Sequence, residues 1–442
     1  AARDGRTDPG DFTTRRIHGR VAATWRYAPG ARVRLAHERQ ENRRPYLFGT
    51  VMPSDGIQYG RVYADPRQEA DRDYARTALH WSAEIRPGVT LRADLARADV
   101  DRDERLAGFL YLVDDETVAG YVTDYRDRAR QTDARLEVRV EGEAAGWDGE
   151  GILGLTRHQR RHRFTGEQAW GNTNPAYGPV NPGYFFDVDN PDWRSVDLEA
   201  LETVGRFERE RRVETGGHAA TTFTGHGWRL GAGLRHTRYR IRLAEEPSES
   251  LTTRSREAGV TGRAGVERRL GDHWALRTTA ATGLRPSEGQ DVDGDYLPPR
   301  RSRMVEAGIR WRPVPGAEVD LARYRLEERN RPRKVEDDPD GALEAVGRVA
   351  VEGTELSARW HGRDCNLRLA AARNDARNRT DGADHEDKRP VGVPTASAGL
   401  TTNCRLATPA PLPDRLGWRT RWQGHRWADP ANTRRVHAHT VH

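Results

Sequence analysis

The 442-residue chain has two cysteines, two methionines and eight phenylalanines, and Lys334 and Lys388 are its lysines among 73 basic residues. Two cysteines, Cys365 and Cys404, without a CxxC spacing, exclude a four-thiolate zinc site. No run of about 18 apolar residues occurs, which excludes a transmembrane helix but not a transmembrane strand. The opening AARDGRTDPGDF lacks an apolar h-region, so no signal peptide is expected within this chain. Phosphate loop, HExxH and nucleophile elbow are all missing, so no catalytic residue, resident metal or bound cofactor is nominated and an enzyme is not expected. A basic block is missing too. The net charge of +6 is the residue of 73 bases and 67 acids of interspersed sign, which argues against nucleic acid as a partner. With 35% hydrophobic and 32% charged residues, the chain has little material for a large globular core. Twelve tryptophans and thirteen tyrosines nevertheless argue against disorder.

What is present is alternation. In 303-RMVEAGIRW-311, Val305, Ala307, Ile309 and Trp311 share one parity and Glu306 and Arg310 the other. The pattern returns in 16-RIHGRVAATWRY-27, 88-GVTLRADLARADV-100, 134-ARLEVRVEGEA-144 and 227-GWRLGAGLRHTRYR-240. It also recurs at 255–268, 273–285, 346–360, 364–377, 393–406 and 413–427. Helical periodicity is nearly absent, its best candidate being 195-SVDLEALETVGRF-207. Short turns such as 28-APG-30, 146-GWDG-149, 225-GHG-227 and 313-PVPG-316 alternate with long connections at 43–74, 102–132, 163–211, 243–254, 286–300, 331–345 and 378–392. Such a schedule suits an all-β, antiparallel transmembrane β-barrel, with short turns on one rim and long loops on the other. The count is about 16 strands. One strand face would meet lipid and the other a polar lumen. Arg39, Arg97 and Arg323 interrupt apolar parities and are expected near the rims. A soluble or surface β-rich adhesin and a passive outer-membrane porin are the alternatives. No blade motif of fixed period supports a propeller.

The stretch 284-LRPSEGQDVDGDYLPPRRSRMVEAGIRW-311 resembles a signature of TonB-dependent outer-membrane siderophore receptors, carried by Ser287, Gly289, Asp293, Gly294, Leu297, Pro298, Pro299, Glu306 and Gly308. The resemblance continues in order through 346-VGRVAVEGTELSARW-360, 393-VPTASAGLTTNCRL-406, with Cys404 where the family has an aromatic, and 416-LGWRTRWQGHRWADPANTRRVHAHTV-441. Segments 22–40, 46–56 and 228–240 are also similar, most closely to the ferrichrome and hydroxamate type. The resemblance implies that 1–442 is a partial barrel domain, with about 16 of the family's roughly 22 strands. The plug domain, its TonB-contacting segment and the C-terminal strands are expected to be missing. It also implies location in the outer membrane, contact with outer-membrane lipid, ferric siderophore as transported ligand and the TonB complex as energising partner of a full-length receptor.

The aromatic loop 163–193 and an earlier loop are where ligand contact is expected. The candidate residues are Tyr46, Phe48, Trp170, Tyr177, Tyr184, Phe185, Phe186 and Trp193, since aromatic edges suit a large, partly apolar chelate. The alternative is loop self-packing. Asp291-Val292-Asp293-Gly294-Asp295 lacks the register and terminal Glu of a calcium loop and reads as a turn. His18, His158 and His162 read as lumen or rim residues. Cys365 and Cys404 lie near the short-turn rim of consecutive strands, which makes them a disulfide candidate.

Overall fold

In a computed structural model, the described residues are 15–44, 69–112, 117–177, 179–187, 197, 200–246, 252–287, 290–334, 343–379, 386–405, 415–429 and 431–441. They form β1 (Arg15–Ala28), β2 (Ala31–Arg44), β3 (Glu69–Arg86), β4 (Val89–Leu112), β5 (Thr117–Ala144), β6 (Trp147–Trp170), β7 (Phe185–Asp187), β8 (Val204–Gly225), β9 (Trp228–Glu246) and β10 (Thr252–Leu270). There follow β11 (Trp274–Arg285), β12 (Arg300–Trp311), β13 (Ala317–Lys334), β14 (Leu343–His361), β15 (Cys365–Asn378), β16 (Ala396–Arg405) and β17 (Arg415–Gln423). The short β18 (Arg426–Trp427), β19 (Arg435–Val436) and β20 (His439–Val441) complete the order. Among the described residues, the 16 strands β1–β6 and β8–β17 form one antiparallel meander, each pairing with its neighbour in that order. β7 adds to the far end of β5, and β20 to β17.

Tight turns hold the near ends. Ala145-Gly146 and His226-Gly227 both take positive φ, as a two-residue hairpin loop with the right twist demands. Gly30, Gly88 and Gly316 supply positive φ at three further turns.

The alternation sorts the two faces as expected. Val21, Leu153, Leu234, Val260 and Val305 are all more than half exposed. A cluster of that size on a water-soluble protein would be a liability. The chain exposes 28342 Å², against about 17,000 Å² for a globular monomer of its mass. Among the described residues there is no conventional core, because one side of the sheet is apolar and faces outward.

Near the turns that side carries tryptophan. Trp274 stacks on Trp311 at 5.4 Å, and Trp81 Nε1 donates to Tyr27 Oη at 2.7 Å. One aromatic girdle thus marks the short-turn rim.

The opposite side is polar and ion-paired. Arg310 lies 3.2 Å from Asp320 and 3.5 Å from Glu267. Arg277 reaches Glu306 at 3.5 Å and Asp320 at 3.7 Å. A Cβ on Gly308 would sit 3.0 Å from both Arg277 Nε and Leu321 O, so the strand is tightly packed at this position. Where the alternation blurs, Arg323 pairs across from Ala307 on the apolar side, and Tyr324 lies over Gly353 on the other.

One expected loop is strand instead, and a second is shorter than expected. Segment 102–132 belongs to β4 and β5 apart from 113–116, which lie outside the described residues. The two ends of 163–211, residues 163–170 and 204–211, belong to β6 and β8. Here both faces are charged, so hydrophobic alternation vanishes while strand pairing persists. The candidate helix at 195–207 ends in Val204–Phe207 of β8, and among the described residues the helical element is a 3₁₀ turn, Pro175–Tyr177.

Cys365 and Cys404 face each other across β15 and β16, with Cα atoms 4.1 Å apart, and are joined by a disulfide. The bond closes a loop with a sequence separation of 39, for which chain entropy sets a contribution of about 4 kcal/mol. We expect Cys365→Ser with Cys404→Ser to lower unfolding stability in detergent by up to that amount. Denaturant titration with and without reductant checks it, since the double variant should become insensitive to reductant.

A candidate ligand-facing wall and aromatic lobe

Beyond the apolar belt, β3–β8 continue as a wall whose inner face is a network of charges. Glu104, 1% exposed, is held by Arg102, by Tyr125 Oη at 2.5 Å and by Arg72 Nη2 at 3.1 Å. Burial alone would push its carboxyl up. The bonds from Arg102, Tyr125 and Arg72 outweigh that and hold it below the ordinary carboxylate range. An unpaired charge at such a site would be costly, and three donors make it tolerable.

One step along the wall, His162 Nε2 lies 2.6 Å from Asp127 Oδ1, and its Nδ1 lies 3.7 Å from Glu208 Oε1. Asp127 and then Glu208 raise the imidazole to about 9, against a smaller opposing effect of burial. His158 pairs with Asp133 at 2.5 Å and His218 with Glu137 at 3.1 Å. His18 pairs with Glu38 at 3.0 Å. Each of these four histidines thus has carboxylate partners that it shares with none of the others, and the three named from sequence do not converge. Among the described residues no group of three or more potential ligands could hold a metal.

At the end of this wall sits a small lobe built on the ends of β5 and β6. β7 pairs with Thr117–Ala119 of β5, and Gly120 N donates to Tyr184 O at 2.8 Å. Tyr184 is fully buried, its hydroxyl donating to Tyr121 O at 3.1 Å, and Phe186 meets it edge-on at 5.3 Å. Gly120 is required for this packing, because a Cβ would lie 2.7 Å from the Phe186 ring. Two buried asparagines staple the rest. Asn172 Nδ2 donates to Asn174 O and Pro179 O, and Asn181 Nδ2 to Trp170 O and Glu202 O.

The eight nominated aromatics therefore separate. Tyr184 and Phe186 pack inside the lobe rather than on its surface, so for these two self-packing prevails. Trp170 and Phe185 are half-buried at its margin. Tyr177 lies in the 3₁₀ turn. Tyr46, Phe48 and Trp193 lie outside the described residues. Sequence reading passed over Glu104, Tyr125, Asn172 and Asn181.

A signal for the wall does exist in the sequence. Asp99, Asp101, Asp103 and Arg105 face Arg130, Arg128, Arg126 and Asp124, an antiparallel complement of opposite charges. The 291–295 segment is a turn. Asp291 Oδ1 accepts from Asp293 N and Asp295 N, with Gly294 at positive φ.

Residues 22–442 match the family described as TonB dependent receptor-like, beta-barrel. The chain is 24% identical over 299 residues to the ferrioxamine B receptor of Salmonella typhimurium, covering 66% of this chain and 40% of that protein. It thus spans less than half the length of this curated relative. Among solved structures it is similar to the siderophore receptor PiuA of Acinetobacter baumannii, with TM-score 0.81, 14% identity and coverage of 99% of this chain and 68% of that one. It is also similar to BauA, the ferric preacinetobactin receptor of the same organism, with TM-score 0.77, 13% identity and coverage of 99% and 66%.

Because its folded value lies above the ordinary 6.5, His162 contributes stability that is whole below about pH 6.5 and lost as pH rises through about 9. The melting temperature of His162→Gln in micelles should therefore fall furthest below the parent at about pH 6. The gap should close toward about pH 9.5, and a gap constant with pH would refute the pairing.

Proposed function

Since the chain belongs to the TonB dependent receptor-like β-barrel family, we propose that it serves in the capture of ferric siderophores at the outer membrane, as the barrel of a receptor energised by TonB. The family's barrels are outer-membrane proteins, and this chain is one of them. It works as a receptor and transporter rather than as an enzyme.

One observation carries the reading. Strands that leave the apolar belt continue as a polar-lined wall and end in a lobe with aromatic rings at its margin. A chelate that is large, rigid and partly apolar is suited by ring edges for its organic frame and by charged side chains for its polar groups. Trp170 and Phe185, at the margin, are the contacts favoured among the described residues. Arg72 and Arg102 stand further along the same inner wall. The likeness to a ferrioxamine B receptor supports a hydroxamate siderophore as ligand.

Binding of ferric ferrioxamine B to the full chain in micelles, followed by tryptophan fluorescence quenching, tests this. Trp170→Phe with Phe185→Ala should weaken binding about tenfold, the loss of roughly one aromatic contact. Equal quenching by the iron-free ligand, or no change in the variant, would overturn the assignment.

A further inference from the structure

The inner face of β15, β16 and β17 differs from the rest of the polar side. Across the ladder from the ion-paired cluster of β12 and β13, one row runs Arg310, Asp320, Ser357, Ala370, Gly399, Arg421. The row nearer the turns runs Glu318, Arg359, Arg368, Thr401, Arg419. No register shift interrupts either row, so all these positions share the face of Arg310 and Asp320. Acids stop at β14. From β15 to β17 the inner-face residues are arginine, asparagine, glutamine, serine, threonine, alanine and glycine.

Where acids stand nearby, the arginines use them. Glu318 takes Arg359 at 2.8 Å and Arg312 at 2.9 Å, and Asp320 takes Arg310 at 3.2 Å. The wall of β4–β8 likewise pairs Arg102 with Glu104, Arg139 with Glu150 and Arg212 with Glu210. Arg368, Arg419 and Arg421, by contrast, are exposed and make no ion pair with any described residue.

These three arginines border a hollow. A concavity of about 960 Å³ is lined by them and by Arg277, Arg310 and Arg359, against the acids Glu318, Asp320 and Glu355. Glu318 and Asp320 are already engaged, and Glu355 stands opposite Ala372 rather than opposite an arginine of β15. The surplus positive charge therefore falls on the β15–β17 side. Small residues, Ala370 and Gly399, make the floor there, and a Cβ on Gly399 would meet nothing nearer than Thr420 O at 3.8 Å.

The spacing of the charges defines what fits. Arg368 and Arg419 flank Thr401 in one row, two strand spacings or about 10 Å apart, and Arg421 lies one pleat repeat, about 7 Å, further along β17. Each guanidinium offers paired N–H donors to one carboxylate or phosphate group. Long side chains at these distances converge on one small molecule that has two or three such groups. A singly charged anion would leave the other arginines unneutralised.

We propose that the inner face of β15–β17 is a binding site for a small oxyanion carrying at least two carboxylate or phosphate groups. Arg368, Arg419 and Arg421 supply the charge, and Thr401 a hydroxyl between them. Arg368 lies three residues beyond Cys365 at the turn, so the site is near the short-turn rim, at the end away from the aromatic lobe. It is separate from Trp170 and Phe185 and does not depend on which chelate they contact.

The test uses the full chain in detergent micelles at constant ionic strength, titrated with tricarballylate, with pyrophosphate and with acetate, and read by calorimetry. Tricarballylate or pyrophosphate should saturate one site, the tighter of the two naming carboxylate or phosphate as the group preferred. Arg368→Gln with Arg419→Gln should lose roughly a hundredfold in affinity, about tenfold for each charged hydrogen-bond partner removed. Arg229→Gln removes an exposed inner-face arginine near the same rim, opposite Glu267 and six strands from β15. That variant should change affinity less than about twofold, because salt screens a charge at that distance. Without ligand the double variant should melt no lower than the parent, because no partner within the chain is lost. No saturable binding of either polyanion, acetate binding as tightly, undiminished binding by the double variant, an equal loss in Arg229→Gln or a lowered ligand-free melting temperature would each overturn the proposal.

Discussion

A peptide group in hydrocarbon has no water to bond, so a strand there must find its hydrogen-bond partners on neighbouring strands. Among the described residues the ladder from β2 to β16 meets that demand on both edges, each strand of the meander pairing with its two neighbours, joined alternately by tight turns and longer connections. Pairing is also why the strands can be so polar overall. Backbone satisfaction costs no hydrophobic residue, so only the outward parity near the turns needs to be apolar. The remaining positions are released for charge.

That freedom is used differently on the two faces. Over most of its strands the inner face places acids beside bases, as with Arg310 among Asp320 and Glu267, or Arg235 beside Glu214 at 2.8 Å. Like charges crowded on neighbouring strands repel, so acids and bases placed side by side relieve that cost. Glu104 shows the rule at its strictest, with three donors on one buried carboxylate. The outer face, above the belt, is less uniform. There Asp101 and Asp103 of β4 meet Arg128 and Arg126 of β5, whereas Arg161 of β6 stands opposite Arg211 of β8, a contrast set by cross-strand register rather than by net charge.

The lobe at the end of β5 and β6 is a different solution again. It has too few residues for a core of its own. Backbone bonds from Gly120 and Asn172, and the side-chain amides of Asn172 and Asn181, hold it to the strand ends. Aromatic rings that look available in the sequence are spent on that attachment, Tyr184 and Phe186 foremost.

The strand periodicity and the turns were legible in the sequence because lipid on one side imposes period-two hydrophobicity, and tight turns impose glycine. The faces of Val305, Ile309 and Trp311, the cross-strand place of Cys365 and Cys404, and the turn at Asp291 all follow from that local physics. Once the chain leaves hydrocarbon, the hydrophobic signal ends, although the ladder does not. The extensions of β4, β5, β6 and β8 therefore read as loops. Only the tertiary structure decided that Asp99 meets Arg130 while Arg161 meets Arg211, that His162 has Asp127 for a partner, and that Tyr184 is buried. Those outcomes depend on which strands stand side by side, and a charge has no meaning for its neighbours until the register brings them within a few ångströms.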